Sequence, residues 1–159
     1  VLGKGDRVRD VVGSYEEKAR EANAQLTRSA QGKTVAFLRI TASEIVLYGV
    51  QQGYVGPVMY QDLGLTPHPL VQQWALKERR VSISVDQLKL LQADHLFITF
   101  DCLDSPTIGD ERKLLDSREW RQLSAVRNGC VYEVDFLTWM NYGVISHGKK
   151  IDDILRVLA

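Results

Sequence analysis

The first regular pattern of apolar positions runs from Val11 to Leu26. Apolar residues recur there at steps of three and four, and the residues between them are mostly charged, which predicts an amphipathic helix. Gly32, just beyond Ser29, is a residue type that commonly ends a helix. The periodic positions are Val12, Tyr15, Ala19, Ala22 and Leu26.

Short apolar runs bounded by turn residues follow and predict buried strands. The predicted strands are 34–40, 44–48, 80–83, 94–100 and 130–134. Helical patterns separate several of them: 85–91 after the N-cap residue Ser84, a stretch over 114–126, and a closing helix marked by 151, 154, 155 and 158. Gly53 and Gly56 frame a turn or the start of a helix, and 64–69 and 101–110 have the composition of loops. Strands separated by helices favour right-handed crossovers, so the predicted fold class is α/β, a three-layer Rossmann-like lobe with a mainly parallel sheet.

Composition and charge exclude several classes of protein. The 159 residues are 45% apolar and 25% charged, which is typical of a packed domain. Twenty basic residues balance twenty acidic ones, so no global field draws this lobe to nucleic acid. No run is long enough to span a bilayer, and a start without Met or signal-peptide character suggests a processed or truncated fragment. Cys102 and Cys130 lack the spacing of a metal site and are predicted to be buried free thiols, which favours a reducing compartment.

The motifs of common enzymes are absent from the chain. It has no GxGxxG, GxxxxGK[ST], GxSxG or HExxH sequence, and its three histidines are scattered. Adjacent carboxylates such as Asp152 and Asp153 are typical of a solvated helix face and not of an acid–base pair. We therefore expect a binding protein, not an enzyme, with no metal held by protein side chains.

The order of several segments resembles the iron-siderophore substrate-binding proteins of ABC importers, the class with a long helix between two lobes. The segments are Tyr15–Ala19, Val35–Ile40, Val58–Leu65, Ile83–Leu88 with Ala93–Phe97, and Trp120–Tyr132. The resemblance covers nearly the whole chain but only the C-terminal lobe of that family's fold. It implies that residues 1–31 form the end of the inter-lobe helix and that 32–159 form the C-terminal ligand-binding lobe. The N-terminal lobe of the same protein would then be missing from this chain.

Arg39 is the leading candidate for ligand contact, because a cation inside an apolar strand needs an anionic partner or a water-filled cleft. An internal salt bridge or a solvent-facing edge position is the alternative. In the resembled family an arginine or aromatic residue of this strand reaches the ligand. A guanidinium suits the oxygen acceptors of a ferric siderophore, and Phe37 shares the strand face of Arg39.

Aromatic residues provide the other candidates. Trp139 and Tyr142 follow the last strand, where the resemblance places another wall of the cleft, although both could simply cap the core. Tyr48 and Tyr54 are further, weaker candidates. The resemblance implies no directly bound cofactor, because the siderophore itself holds the ferric iron.

Asp86 occupies the position at which the family docks a glutamate, one per lobe, against arginines of the ABC permease. An aspartate in the first turn of a helix also has a simpler explanation, since it favours the positive end of the helix dipole. The resemblance implies an extracytoplasmic protein, periplasmic or anchored as a lipoprotein.

A second hypothesis is the siderophore-sensing lobe of an AraC-type transcriptional regulator, which would be cytoplasmic. The two cysteines and the shorter Asp86 favour it, whereas the abundance of the family favours the importer. The upstream sequence would decide between a lipobox signal peptide and a DNA-binding domain.

Overall fold

The computed structural model describes residues 3–102 and 105–159. Helix α1 spans Gly3–Ser29 and is followed by strands β1 (Thr34–Ile40) and β2 (Ile45–Tyr48). A π-helical turn, Pro57–Asp62, leads to the short strand β3 (Thr66–Pro67) and helix α2 (Pro69–Ala75). Positions 1 and 2 of the predicted helical region and 103 and 104 of the predicted loop lie outside the described residues.

The second half of the chain alternates again between strands and helices. The elements are β4 (Arg80–Ile83), α3 (Val85–Leu90), β5 (His95–Phe100), a 3-10 segment (Asp110–Asp116), α4 (Arg118–Arg121), α5 (Ser124–Arg127), β6 (Val131–Glu133), α6 (Phe136–Trp139) and α7 (Val144–Leu158).

The strands form one sheet in the order β4-β2-β1-β5-β6, with β3 paired to β1. Strand β1 pairs in parallel with β3 and β5, and β5 pairs in parallel with β6. Strand β2 is antiparallel to both β1 and β4. Within the described sheet, β2 alone therefore runs against the other five strands, and the predicted fold class, α/β with a mainly parallel sheet, is confirmed.

Helices flank the sheet, and α1 and α7 lie side by side. Lys18 of α1 forms an ion pair with Asp152 of α7 at 2.7 Å, and the Tyr15 hydroxyl donates to Asp62 at 2.6 Å. Buried Ala19, Ala22 and Leu26 give α1 its apolar face, as the periodicity predicts, whereas Val12, at the start of the same pattern, is 38% exposed. Within the described residues, no helix is both long enough and apolar enough to cross a membrane.

Candidate ligand-facing edge of the sheet

The candidate site lies at the carboxyl edge of the parallel strands, where ligands of open α/β sheets bind. Residue Arg39 is the penultimate residue of β1, and register pairs Ile40 with Phe100 at the end of β5. Asp101 follows directly, and its backbone amide donates to the Ile40 carbonyl at 2.9 Å. The pairing of β1 with β5 thus brings a carboxylate beside the arginine.

The guanidinium of Arg39 is held from two sides. Its Nη1 donates to the hydroxyl of Tyr48 at 3.2 Å, and its Nε lies 3.6 Å from Oδ2 of Asp101. The Arg39 side chain is 17% exposed and that of Asp101 is 8% exposed. Among the described residues the buried Nε has no hydrogen-bond partner. The salt bridge that the sequence allows as an alternative is present, but its geometry leaves this donor unsatisfied.

Three large aromatic side chains pack on the same sheet face as Arg39. Phe37 stacks on Trp139 with ring centroids 5.2 Å apart and planes at 4°, and it meets Tyr48 edge-on at 5.4 Å. The indole nitrogen of Trp139 donates to Asp153 at 2.8 Å, which ties α6 to α7. Phe37 and Trp139 are 0% exposed and Tyr48 is 2% exposed. These rings therefore lie within the core and do not face solvent, and Tyr48 joins them to Arg39 through its hydroxyl.

A second aromatic group lies on the loops beside α7. The rings of Tyr54 and Tyr142 are 4.3 Å apart, and Tyr142 is 50% exposed. His147 lies next to Tyr142, with ring centroids 6.5 Å apart, and burial lowers the pKa of His147. The Nζ of Lys150 donates to the carbonyl oxygens of Tyr54 at 2.6 Å and Asn141 at 2.8 Å. Burial lowers the pKa of Lys150 from 10.5 to about 8.

A depression of about 610 Å³ lies at the same edge but on the opposite face of the sheet. Its lining includes Ile40, Ile45 and Ile83, which are register partners and point away from Arg39 because strand side chains alternate. Ser84 and Val85 also line it, immediately before Asp86. The Arg39 face is the candidate ligand-facing face, because it carries the buried cation whose Nε has no hydrogen-bond partner among the described residues.

The Asp86 side chain is 91% exposed and lies in the first turn of α3. Ser84 caps this helix through a reciprocal pair of hydrogen bonds with Gln87, as predicted from its N-cap position. The only ion pair recorded for Asp86 in the described part of the chain is with Lys89 at 3.4 Å. The carboxylate is accordingly accessible to a partner.

Comparison with known proteins finds relatives that are iron-chelate-binding proteins. The chain is 26% identical over 161 residues to the iron(3+)-hydroxamate-binding protein FhuD of Bacillus subtilis, covering 100% of the chain and 50% of the relative. It is 27% identical to the Fe(3+)-citrate-binding protein YfmC of the same organism, covering 98% of the chain and 46% of the relative. No protein-family model matches the chain.

Solved structures agree on the fold. A FhuD fold-family binding component of a ferrichrome ABC transporter from Bacillus subtilis superposes with a TM-score of 0.85 at 24% identity, covering 99% of this chain and 58% of that one. The triscatecholate siderophore-binding protein FeuA, solved with ferri-bacillibactin, gives a TM-score of 0.82 at 25% identity, covering 98% and 54%. The fold is that of the FhuD-type siderophore-binding proteins. The resemblance recognised from the sequence, to siderophore-binding proteins, is therefore confirmed by the relatives and by the solved structures.

The chain spans about half the length of the FhuD-type relatives that it matches, as expected of a single lobe. Those relatives are named as binding proteins and not as enzymes. Within the described residues, no cluster of three or more His, Cys, Asp or Glu side chains could hold a metal ion.

The sequence-predicted residues fall into two groups in this FhuD-type fold. Arg39, Phe37, Tyr48 and Trp139 are brought together at one face of the sheet. Tyr142 contacts Tyr54 instead. The prediction that Cys102 is buried is wrong: its side chain is exposed, because the residue follows the end of β5, whereas Cys130 is partly buried.

Sequence reasoning missed Lys150 and Asp101. Lys150 shares the buried face of α7 with Ile151, Ile154 and Leu158. Its position four residues before Ile154 in a helix would have predicted that it is buried. Asp101 had no such signal, because its place beside Arg39 follows from the register of β1 and β5.

Proposed function

We propose that this chain is the C-terminal lobe of a two-lobed siderophore-binding protein and forms one wall of a cleft that holds a ferric siderophore for an ABC importer. The ligands named for its relatives, iron(3+) hydroxamate and Fe(3+) citrate, support this class of cargo. In the proposal the chelator holds the iron and the protein binds the outside of the chelate. Residues 1–31 would include the end of the inter-lobe helix, and the protein would bind but not transform its ligand.

The observation that carries the proposal is that the buried Nε of Arg39 has no hydrogen-bond partner among the described residues. A buried donor without a partner costs about 1–3 kcal/mol of folding free energy. A salt bridge with a structural role alone would be expected to satisfy this donor. Tyr48 fixes one terminal nitrogen, and 17% of the Arg39 side chain stays exposed. Oxygen acceptors of a chelate are suitable partners for such a partly anchored cation.

The predicted aromatic residues take different roles in this proposal. Tyr48 positions Arg39 through its hydroxyl, and Phe37 and Trp139 pack behind Tyr48 in the core, since none of the three has an exposed ring face. Tyr142 is the aromatic residue that would contact the chelate directly, because half of its surface is accessible. A flat, delocalised hydroxamate or catechol can pack on such a ring.

Arg39→Ala tests the ligand-facing role of the arginine. Loss of a charged hydrogen bond of about 1.5–3 kcal/mol should weaken binding roughly ten- to a hundredfold. The measurement is quenching of tryptophan fluorescence by ferrioxamine B, ferri-bacillibactin and ferric citrate in the full-length polypeptide. Arg121→Ala removes an exposed arginine from α4 and is the matched control.

The control should bind each chelate as tightly as the parent protein. Unchanged affinity in Arg39→Ala, with binding intact in the parent, would remove Arg39 from the site. If the parent bound none of the three chelates, the proposed function itself would fail.

Asp86 is proposed to dock this lobe on the ABC permease. Its exposed carboxylate projects from a capped helix end, which suits a charge pair with a permease arginine. Asp86→Ala should reduce chelate uptake by cells while leaving the affinity for the chelate unchanged. Glu16→Ala, which removes an exposed carboxylate from α1, is the control, and normal uptake in Asp86→Ala would contradict the docking role.

The AraC-type sensor remains the second candidate because of one observation, the exposed free thiol of Cys102. An exposed thiol is better preserved in a reducing cytoplasm than outside it. The sequence upstream in the full-length polypeptide separates the two functions. A lipobox signal peptide supports the extracytoplasmic importer protein, and helix-turn-helix motifs support the regulator.

A further inference from the structure

Lys150 is among the largest fully buried side chains in the described structure and is 0% exposed. Its ammonium has three N–H donors and three partners. They are the carbonyl oxygens of Tyr54 at 2.6 Å and Asn141 at 2.8 Å, and Nδ1 of His147 at 3.2 Å. A neutral His147 with Nδ1 as the acceptor completes the set.

This buried charge has no carboxylate to offset it among the ion pairs of the described residues. Burying a charge without a counter-ion is unfavourable, and a methionine would fill a similar space without that cost. The unfavourable burial lowers the pKa of Lys150 to about 8. Hydrogen bonding to two loop carbonyls is the gain that a methionine could not provide.

The two carbonyls belong to separate loops that each carry an aromatic ring. Tyr54 lies in the loop between β2 and the π-helical turn, and Asn141 precedes Tyr142 in the loop between α6 and α7. The rings of Tyr54 and Tyr142 meet at 4.3 Å directly beside this junction. The Lys150 ammonium therefore fixes the two loops relative to each other by binding one carbonyl oxygen of each.

The same junction is connected to Arg39. Trp139 precedes Asn141 by two residues, and its ring stacks on Phe37, two residues before Arg39. Trp139 thus links the loop that carries Tyr142 to the strand that carries Arg39.

We propose that Lys150 is a positioning residue that holds Tyr54 and Tyr142 together as one aromatic surface for the ferric chelate. This inference rests on the proposed function and deepens it. The two rings, tilted by 39° to each other, offer a larger aromatic contact than Tyr142 alone, and a flat hydroxamate or catechol group is the ligand chemistry that such a surface favours.

Lys150→Met in the full-length polypeptide is the principal test, with Lys149→Met as the matched control because Lys149 is the exposed neighbour. Binding of ferrioxamine B and ferri-bacillibactin should weaken roughly tenfold, equivalent to about 1.4 kcal/mol, in the first variant and remain unchanged in the second. Hydrogen exchange should accelerate in residues 49–56 and 140–143 of Lys150→Met but not in β1 or β5. That local pattern separates a positioning role from a general loss of stability.

Tyr54→Ala and Tyr142→Ala keep the proposal testable if Lys150→Met does not fold. Each should weaken chelate binding, and adding Lys150→Met to Tyr142→Ala should cost less than the sum of the single changes, because both act on one surface. Parent-like affinity in both tyrosine variants, or in Lys150→Met with the two loops loosened, would overturn the inference.

The failures of the two proposals are distinguishable. Chelate binding that is weakened by Arg39→Ala but not by Lys150→Met would overturn only the role of Lys150. A parent protein that bound no chelate would overturn the proposed function and this inference with it.

Discussion

Gly49 allows the loop that carries Tyr54 to lie directly against the chain segment before β4. Its amide donates to the Arg79 carbonyl at 3.0 Å, and the amide of Val50 donates to the Ala75 carbonyl at 3.2 Å. A Cβ at position 49 would collide with the carbonyl oxygens of Glu78 and Ala75. The absence of a side chain is therefore a packing requirement at this position.

Gly49→Ala should destabilise the protein by about 1–3 kcal/mol, because the backbone must move to relieve the overlap. Gly13→Ala is the matched control: a Cβ there meets no atom within 4 Å, and Gly13 lies in the interior of α1. Alanine at such an exposed helical position should stabilise by about 0.5–1 kcal/mol. Urea denaturation measures both, and equal stability of Gly49→Ala and the parent would contradict the close approach.

Strand alternation predicts which side chains share a face but not how deeply they are buried. It correctly places Phe37 and Arg39 on one face of β1, yet the depth of Phe37 depends on Trp139, which covers it from α6. The partner of Arg39 depends in the same way on the register of β1 and β5. Pattern alone therefore indicated the candidate arginine, whereas its environment required the fold.

At the scale of elements, strong periodic patterns located most of the secondary structure. Strand β1 has the predicted bounds, Thr34–Ile40, and α3 begins after its predicted cap. Helix α1 spans Gly3–Ser29 and is longer than the periodic pattern of apolar positions, which begins only at Val11. Local sequence is therefore sufficient to predict a helix whose buried face repeats over two turns or more.

Short and irregular elements followed less well from the sequence. Helix α2 begins with Pro69 directly after a loop signal, and the His68 side chain accepts the Leu70 amide to cap it. The predicted helical stretch over 114–126 is divided into a 3-10 segment and two single-turn helices, which are too short to be stable in isolation. The reversed direction of β2 follows from its short connection to β1, which has room for a turn but not for a crossover helix.

At the scale of the whole molecule, one lobe supplies only part of the proposed site. In the proposal, Arg39 and the Tyr54–Tyr142 pair line one side of a cleft, and a second lobe supplies the opposite wall. The resemblance was recognisable from the order of several segments because those segments are distributed over nearly the whole chain. Ligand identity is not distributed in this way, since it depends on a few side chains and on the wall that faces them.

The buried Lys150 makes the free energy of unfolding of the whole molecule depend on pH. Its pKa is about 8 in the folded protein and 10.5 when unperturbed, so between these values the unfolded chain binds the proton that the folded chain has released. Stability rises with pH wherever the unfolded state binds more protons.

Subtracting the free energy of unfolding of Lys150→Met from that of the parent removes the contributions of other groups. This difference should increase from about pH 8 towards 10.5 and stay level below about pH 7. The free energy of unfolding of Lys149→Met should follow that of the parent over the same range. If the difference between the parent and Lys150→Met stayed level above pH 8, burial would not lower the pKa of Lys150.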